Sequence, residues 1–176
     1  MMYINYIIYT HFMKNLIAIV AMMMFSVAGC AQAGEQPDFK DAGLVTMKGD
    51  SVMLSDYVGK HDYVLVDFWA SWCGPCMREM PNVKAAYAKY KSRGLEIVGI
   101  SLDRESRAWQ GAVTRMEMAW PQLTDVTDSG SKAAKLYGVQ YIPYTLIFDK
   151  KGKIVAKNLH GQEMLDKLEE LMPARK

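Results

Sequence analysis

The run Tyr63-Val64-Leu65-Val66-Asp67-Phe68-Trp69-Ala70 is apolar at almost every position, and Ser71-Trp72-Cys73-Gly74-Pro75-Cys76 follows it directly. An apolar stretch of this length without alternation is the signature of a strand buried on both faces, so the sheet it belongs to must be covered on both sides. The cysteines lie where that strand gives way to helical spacing. Pro75 is well tolerated in a first helical turn, where its missing N–H costs nothing. A helix start carries partial positive charge and unpaired N–H groups, which favour a thiolate over a thiol. Two thiols three positions apart at such a place form a two-electron redox couple. The alternative is half of a zinc site, which needs about four ligands. The chain has no second cysteine pair of this kind, and its only histidines are His11, His61 and His160. The redox reading is the stronger one, and no metal or other cofactor is expected.

Composition sets the remaining bounds. A chain of 176 residues, 51% hydrophobic and 23% charged, accommodates one globular domain with a normal core plus a short targeting segment. A net charge of +2 gives no reason to expect nucleic acid or an acidic polymer as partner.

The N-terminal stretch reads as a targeting segment. Lys14 precedes the apolar run Leu16 to Phe25, and small residues then lead to Cys30. This is the order of a positive region, an apolar region and a cleavage site. Residues 1–29 are expected to be a signal peptide, with Met13 the better start and residues 1–12 a misassigned extension. An uncleaved membrane anchor is the competing reading, since Tyr3 to Phe12 is also apolar. Val27-Ala28-Gly29-Cys30 resembles a bacterial lipobox, which implies lipidation of Cys30 and a polar tether up to residue 42. The domain then occupies residues 43–176, exported and facing oxidising conditions. With Cys30 blocked by lipid, Cys73 and Cys76 have only each other as internal partner.

Along the domain, Leu44–Met47 and Ser51–Leu54 flank a turn and predict a small hairpin. Tyr63 to Ala70 predicts the buried strand, Gly74 to Arg93 a helix ended by Gly94, and Leu95 to Leu102 a second strand. Glu105 to Met118 and Ser129 to Tyr137 read as helices. Thr145–Asp149 and Ile154–Lys157 read as a hairpin, and Gln162 to Met172 as a final amphipathic helix. Strands alternating with helices imply a partly parallel sheet covered on both sides, and the closing hairpin implies antiparallel edges.

The stretch from Val66 to Cys76 resembles the active-site segment of thioredoxins. Ile142-Pro143, just before a strand, resembles that fold's cis-proline loop. The lipobox, the leading hairpin and the long stretch from Asp103 to Tyr137 make the chain most similar to the TlpA/ResA-like branch of exported thiol-disulfide oxidoreductases, over roughly residues 43–172. The resemblance implies an α/β, thioredoxin-like three-layer sandwich: a mixed central sheet, helices on both faces and an N-terminal hairpin extension. It implies that Cys73 is the nucleophile, Cys76 the resolving cysteine, and the two a reversible disulfide. Asp67 matches a buried proton acceptor, Glu79 a carboxylate beside the active site, Pro143 the cis-proline and Pro81 a proline that kinks the active-site helix. Tyr144 departs from the threonine usual after the cis-proline, which bears on substrate range.

In the mechanism this implies, an exposed Cys73 thiolate attacks a target disulfide and Cys76 resolves the mixed disulfide. Buried Asp67, or Glu79 one turn beyond Cys76, takes the Cys76 proton; the plain alternatives are a capped structural aspartate and a solvated helix face. Ile142 offers its main chain to an extended target strand, Trp72 forms an apolar rim and Trp69 supports the core. His160 reads as a loop residue. By family analogy the partners are protein disulfides, apocytochrome c among them, and a membrane-embedded thiol electron donor, with the protein itself a monomer. Two other functions compete. A thiol peroxidase of the AhpC/TSA type would place threonine and proline upstream of a lone cysteine, a pattern that Asp67 to Trp72 lack. A copper metallochaperone would recruit a histidine, His160 being the candidate.

Overall fold

The structure is a computed structural model and describes residues 38–174. Cys30, the expected signal peptide and most of the tether lie outside the described residues. Nine strands and four α-helices run in the order β1 (Gly43–Thr46), β2 (Ser51–Met53), β3 (Tyr63–Trp69), α1 (Gly74–Tyr90), β4 (Leu95–Ser101), α2 (Ser106–Arg115), β5 (Gln122–Thr124), β6 (Val126–Thr127), β7 (Gly130–Ser131), α3 (Lys132–Leu136), β8 (Tyr144–Asp149), β9 (Ile154–Lys157) and α4 (Gly161–Leu171) among the described residues. Seven strands form one sheet in the order β2-β1-β5-β4-β3-β8-β9, and β6 and β7 make a separate two-stranded ribbon.

β3 lies inside the sheet, parallel to β4 and antiparallel to β8. Successive side chains of a strand point to opposite faces, and the core divides accordingly. Leu65 and Trp69 of β3 join Met80 and Val83 of α1, Trp109 and Ala112 of α2, and Met164 and Leu168 of α4. Val64, Val66 and Phe68 join Leu44, Leu54, Val58 and the two alanines of α3, Ala133 and Ala134. Both faces of β3 are thus covered, as its unbroken apolar run requires, and the mixed sheet with helices on both faces is the expected three-layer architecture.

Several elements differ from the sequence expectation. The leading hairpin is not an appendage: β1 pairs antiparallel with β5 and becomes part of the main sheet. β5 itself, parallel to β4, was not foreseen, because three residues after a proline carry no readable periodicity. The second helix is confined to Ser106–Arg115. It closes with the Met118 N–H bonded to the Val113 carbonyl at 3.1 Å and with Glu117 at φ 50°, a left-handed cap made without glycine and so without the usual stop signal. The third helix begins only at Lys132, because the Ser131 hydroxyl caps it by accepting from the Ala134 N–H at 3.0 Å.

Candidate functional site

Cys73 is the N-cap of α1, with Gly74 and Pro75 in the first turn. Its Sγ accepts from the Cys76 N–H at 3.1 Å, so one of the unpaired donors of the helix start is aimed at sulfur. Cys73 and Cys76 are joined as a disulfide. Pro81, inside α1, leaves the carbonyl one turn back without its helical donor. The expected exposure of Cys73 is corrected: it is only 5% exposed and Cys76 1%. Both sulfurs belong to the α1-side core, with Trp69, Ala70 and Met80.

The Ile142–Pro143 peptide is cis, and the Ile142 carbonyl oxygen lies 3.7 Å from Cys73 Sγ. Trp72, directly before Cys73, is 68% exposed, whereas Trp69 is fully buried. Trp69 thus supports the core, as expected of it. Tyr144, the departure from the usual pattern, opens β8 opposite Phe68 and packs edge-on against exposed Tyr141, with ring centroids 5.9 Å apart.

Asp67 is buried in β3, at 3% exposure. Strand alternation puts it on the same face as Leu65 and Trp69, the face covered by α1 and its cysteines. Burial, with the nearby Glu79 charge adding to it, pushes its carboxyl up from 3.8 to about 7. Glu79 is not a solvated face residue. It is half-buried, its Oε1 accepts from the Gly161 N–H at 2.6 Å, and its Oε2 accepts from Asn82 Nδ2 at 3.1 Å. A carboxylate at the first residue of α4 meets the positive end of that helix. His160 is the N-cap of α4, its Nε2 3.1 Å from Asn158 Oδ1.

Two residues that sequence reasoning missed complete the site. Asp103, just beyond β4, is buried and holds the loop that presents Cys73. Its carboxylate accepts from the Ser71 N–H at 2.9 Å, from the Ser71 hydroxyl at 2.6 Å and from the Ser101 hydroxyl at 2.8 Å. An acid following an apolar strand was the only signal available. Asp103→Ala is expected to lower stability by about 2 kcal/mol, because it leaves these donors without their acceptor. Urea unfolding measures this, and an unchanged midpoint would show that the loop holds itself.

Gln122, at the start of β5, is the second. Strand registers align Thr145, Asp67, Gly99 and Gln122 as one row across β8, β3, β4 and β5. Gly99 has no side chain, and the Gln122 amide fills the space: a Cβ on Gly99 would lie 2.4 Å from Gln122 Oε1 and 2.8 Å from Nε2. A glycine in the middle of a buried strand is the sequence sign of such a close approach. Gln122 Oε1 accepts from the Trp69 indole N–H at 3.1 Å.

This assembly of a helix-capping cysteine pair, a cis-proline loop and a buried carboxylate can be set beside known proteins. The profile described as AhpC/TSA family spans residues 34–157. The chain belongs to the AhpC/TSA family. Among curated relatives, the thiol-disulfide oxidoreductase ResA of Bacillus thuringiensis subsp. konkukian is 32% identical over 138 residues, covering 78% of this chain and 75% of the relative. ResA of Halalkalibacterium halodurans is 31% identical over 150 residues, covering 84% and 81%. Among solved structures, the thioredoxin domain of a thiol-disulfide oxidoreductase from Bacteroides vulgatus matches with a TM-score of 0.70 at 32% identity, covering 76% of this chain and 94% of that one. A thiol-disulfide oxidoreductase from Bacteroides fragilis matches with a TM-score of 0.70 at 32% identity, covering 75% and 97%. The protein is a thiol-disulfide oxidoreductase with a thioredoxin-like fold. The family's description is the one carried by the thiol-peroxidase alternative, but these relatives are named for disulfide exchange, which suits a pair of cysteines joined to each other. No helix among the described residues of the oxidoreductase is long and apolar enough to cross a membrane.

Proposed function

We propose that this oxidoreductase reduces disulfides of protein substrates in the cell envelope. The observation that carries the reading is the placement of Cys73 at the head of α1, with the Cys76 N–H directed at its sulfur and Asp67 buried beneath the same helix.

In the reduced enzyme the Cys73 thiolate attacks one sulfur of a target disulfide. A mixed disulfide forms and the other target sulfur leaves as a thiolate. Cys76 then gives up its proton and attacks Cys73 Sγ, releasing the second target thiol and closing the Cys73–Cys76 disulfide. Two electrons pass from the enzyme to the target, which takes up two protons. Asp67 accepts the Cys76 proton, which has no ready route to bulk water from a residue only 1% exposed. Glu79 raises the proton affinity of Asp67 through its charge and is the second proton acceptor. Pro143 and the Ile142 main chain, beside Cys73, receive an extended segment of the substrate, and Trp72 gives that segment an apolar rim.

The N-terminal stretch supports the setting: a signal peptide over residues 1–29, lipid on Cys30 and a short tether would hang a monomeric domain on a bacterial membrane, facing the periplasm or another extracytoplasmic space. The tether ends before Phe39, earlier than the expected residue 42, because the Phe39 N–H is bonded to the Gly152 carbonyl at 3.0 Å and Ala42 is buried. An enzyme that donates electrons there needs recharging, and a membrane-embedded thiol donor supplies them. Apocytochrome c is one substrate of this class.

The Gly74-Pro75 dipeptide between the cysteines is shared with thioredoxin, whose potential is about −270 mV, against about −120 mV for the oxidant DsbA. The expected midpoint for Cys73–Cys76 lies near the thioredoxin value. Equilibration with glutathione or dithiothreitol buffers measures it, and a value near that of DsbA would reverse the proposed direction of electron flow.

A further inference from the structure

We propose that Gln122 is a positioning residue for Asp67, its side-chain amide stabilising the ionised carboxylate across the gap left by Gly99. Three observations carry this. The Trp69 indole nitrogen can only donate, and it donates to Gln122 Oε1. That bond fixes which way the amide faces and leaves Nε2 as the free end. Gln122 Nε2 is buried and without a hydrogen-bond partner, in a residue only 6% exposed. Buried donors are almost always satisfied, so an orphan in this place marks a group kept ready for a partner. Finally, Gly99 is the direct neighbour of both Asp67 and Gln122 in the sheet, and the amide occupies the position its side chain would take. The Gln122 amide therefore lies one strand from Asp67, about 4.8 Å in sheet spacing, a span that a small carboxylate shift or one bridging water closes.

The groups around Asp67 leave this role open. From α1 the titratable groups are Cys76 and Glu79, and the Glu79 charge opposes ionisation of Asp67. At the head of α4, His160 faces Asn158, and the Gly161 N–H holds Glu79. In the row itself, Thr145 is uncharged and turned to Leu159, its hydroxyl donating to that carbonyl at 2.8 Å, and Gly99 contributes nothing. A donor on the β5 side balances a like charge on the α1 side. Such a balance keeps a proton acceptor from being protonated throughout the working pH range. The bearing on catalysis rests on Asp67 accepting the Cys76 proton; the titration itself does not.

The test is the carboxyl titration of Asp67, followed by carbon-13 NMR in the intact protein and assigned with Asp67→Ala. Gln122→Leu removes the donor and should raise the titration midpoint by about one pH unit, since a hydrogen bond to the charged form favours that form. Gln122→Met, closer in volume, serves if the leucine variant does not fold. Trp69→Phe removes the partner of Oε1 but keeps the Nε2 donor, and should raise the midpoint by less than half as much. No rise in the Gln122 variants, or an equal rise in Trp69→Phe, overturns the assignment. A rise in midpoint that leaves the pH profile of mixed-disulfide resolution unmoved upholds the Gln122 role while removing Asp67 from the proton transfer of the proposed mechanism.

Discussion

Cys73→Ser is expected to abolish catalysed reduction of insulin disulfides, leaving only the rate of dithiothreitol alone, whereas Cys76→Ser should accumulate enzyme covalently bound to its target. The contrast follows from position. Cys73 caps α1, and its sulfur receives the Cys76 N–H at 3.1 Å, so negative charge gained on that sulfur is stabilised by the helix start. A serine hydroxyl there does not ionise near neutral pH and cannot form a disulfide. Cys76 lies within the helix, almost fully buried, and the sulfur it attacks is Cys73 Sγ once that sulfur is bonded to the target. Without it the first exchange proceeds and the second has no attacking thiol. Non-reducing electrophoresis after mixing with insulin separates the two outcomes. Insulin reduction at the wild-type rate without Cys73 would remove the thiol-exchange mechanism altogether.

Asp67→Asn should have two opposed effects, both large. The rate of mixed-disulfide resolution should fall by about 10²-fold, because the variant cannot accept the Cys76 proton. The pH dependence of that step should flatten. In the wild type, burial and then the Glu79 charge raise the carboxyl to about 7, so the acceptor is available above that pH and lost below it.

Stability should move the other way. Between the ordinary carboxyl value of 3.8 and about 7, the folded protein holds a proton that the unfolded chain has released. Bound protons are therefore fewer in the unfolded state, and stability falls as pH rises through this window. By pH 8 the cost of the buried charge approaches about 4 kcal/mol, from three pH units at 1.36 kcal/mol each. Asp67→Asn removes that cost, so its advantage over the wild type should be absent near pH 4 and should grow to a few kcal/mol by pH 8. Denaturant unfolding at the two pH values, beside stopped-flow resolution rates, measures both effects. A variant less stable than the wild type at pH 8 would mean that the carboxylate is well satisfied where it sits, and that its burial does not tune it.

The two effects together explain why a charge should stand in a strand otherwise apolar from Tyr63 to Ala70. An apolar residue at position 67 would favour the fold and lack the proton chemistry.

Local chemistry carried a large part of this protein. The apolar run of β3 called for a sheet covered on both sides, and the cysteine pair beside a glycine and a proline marked the helix start and the redox couple. These signals are legible because each depends on neighbours within a few residues: side-chain alternation, the missing N–H of proline, the unpaired donors of a first turn. What the chain alone could not show depends on contacts between distant segments. The burial of Cys73 is set by packing of α1 on the sheet. The tie between Glu79 and Gly161 joins two helices 82 positions apart. Asp103 grips Ser71 across 32 positions. The docking of the leading hairpin on β5, and the row that sets Gln122 and Gly99 beside Asp67, exist only once strands from four parts of the chain are in register. A sequence records which side chains follow one another along a strand. Which side chains lie abreast, and hence what electrostatic surroundings a buried carboxyl experiences, is decided by the pairing of strands.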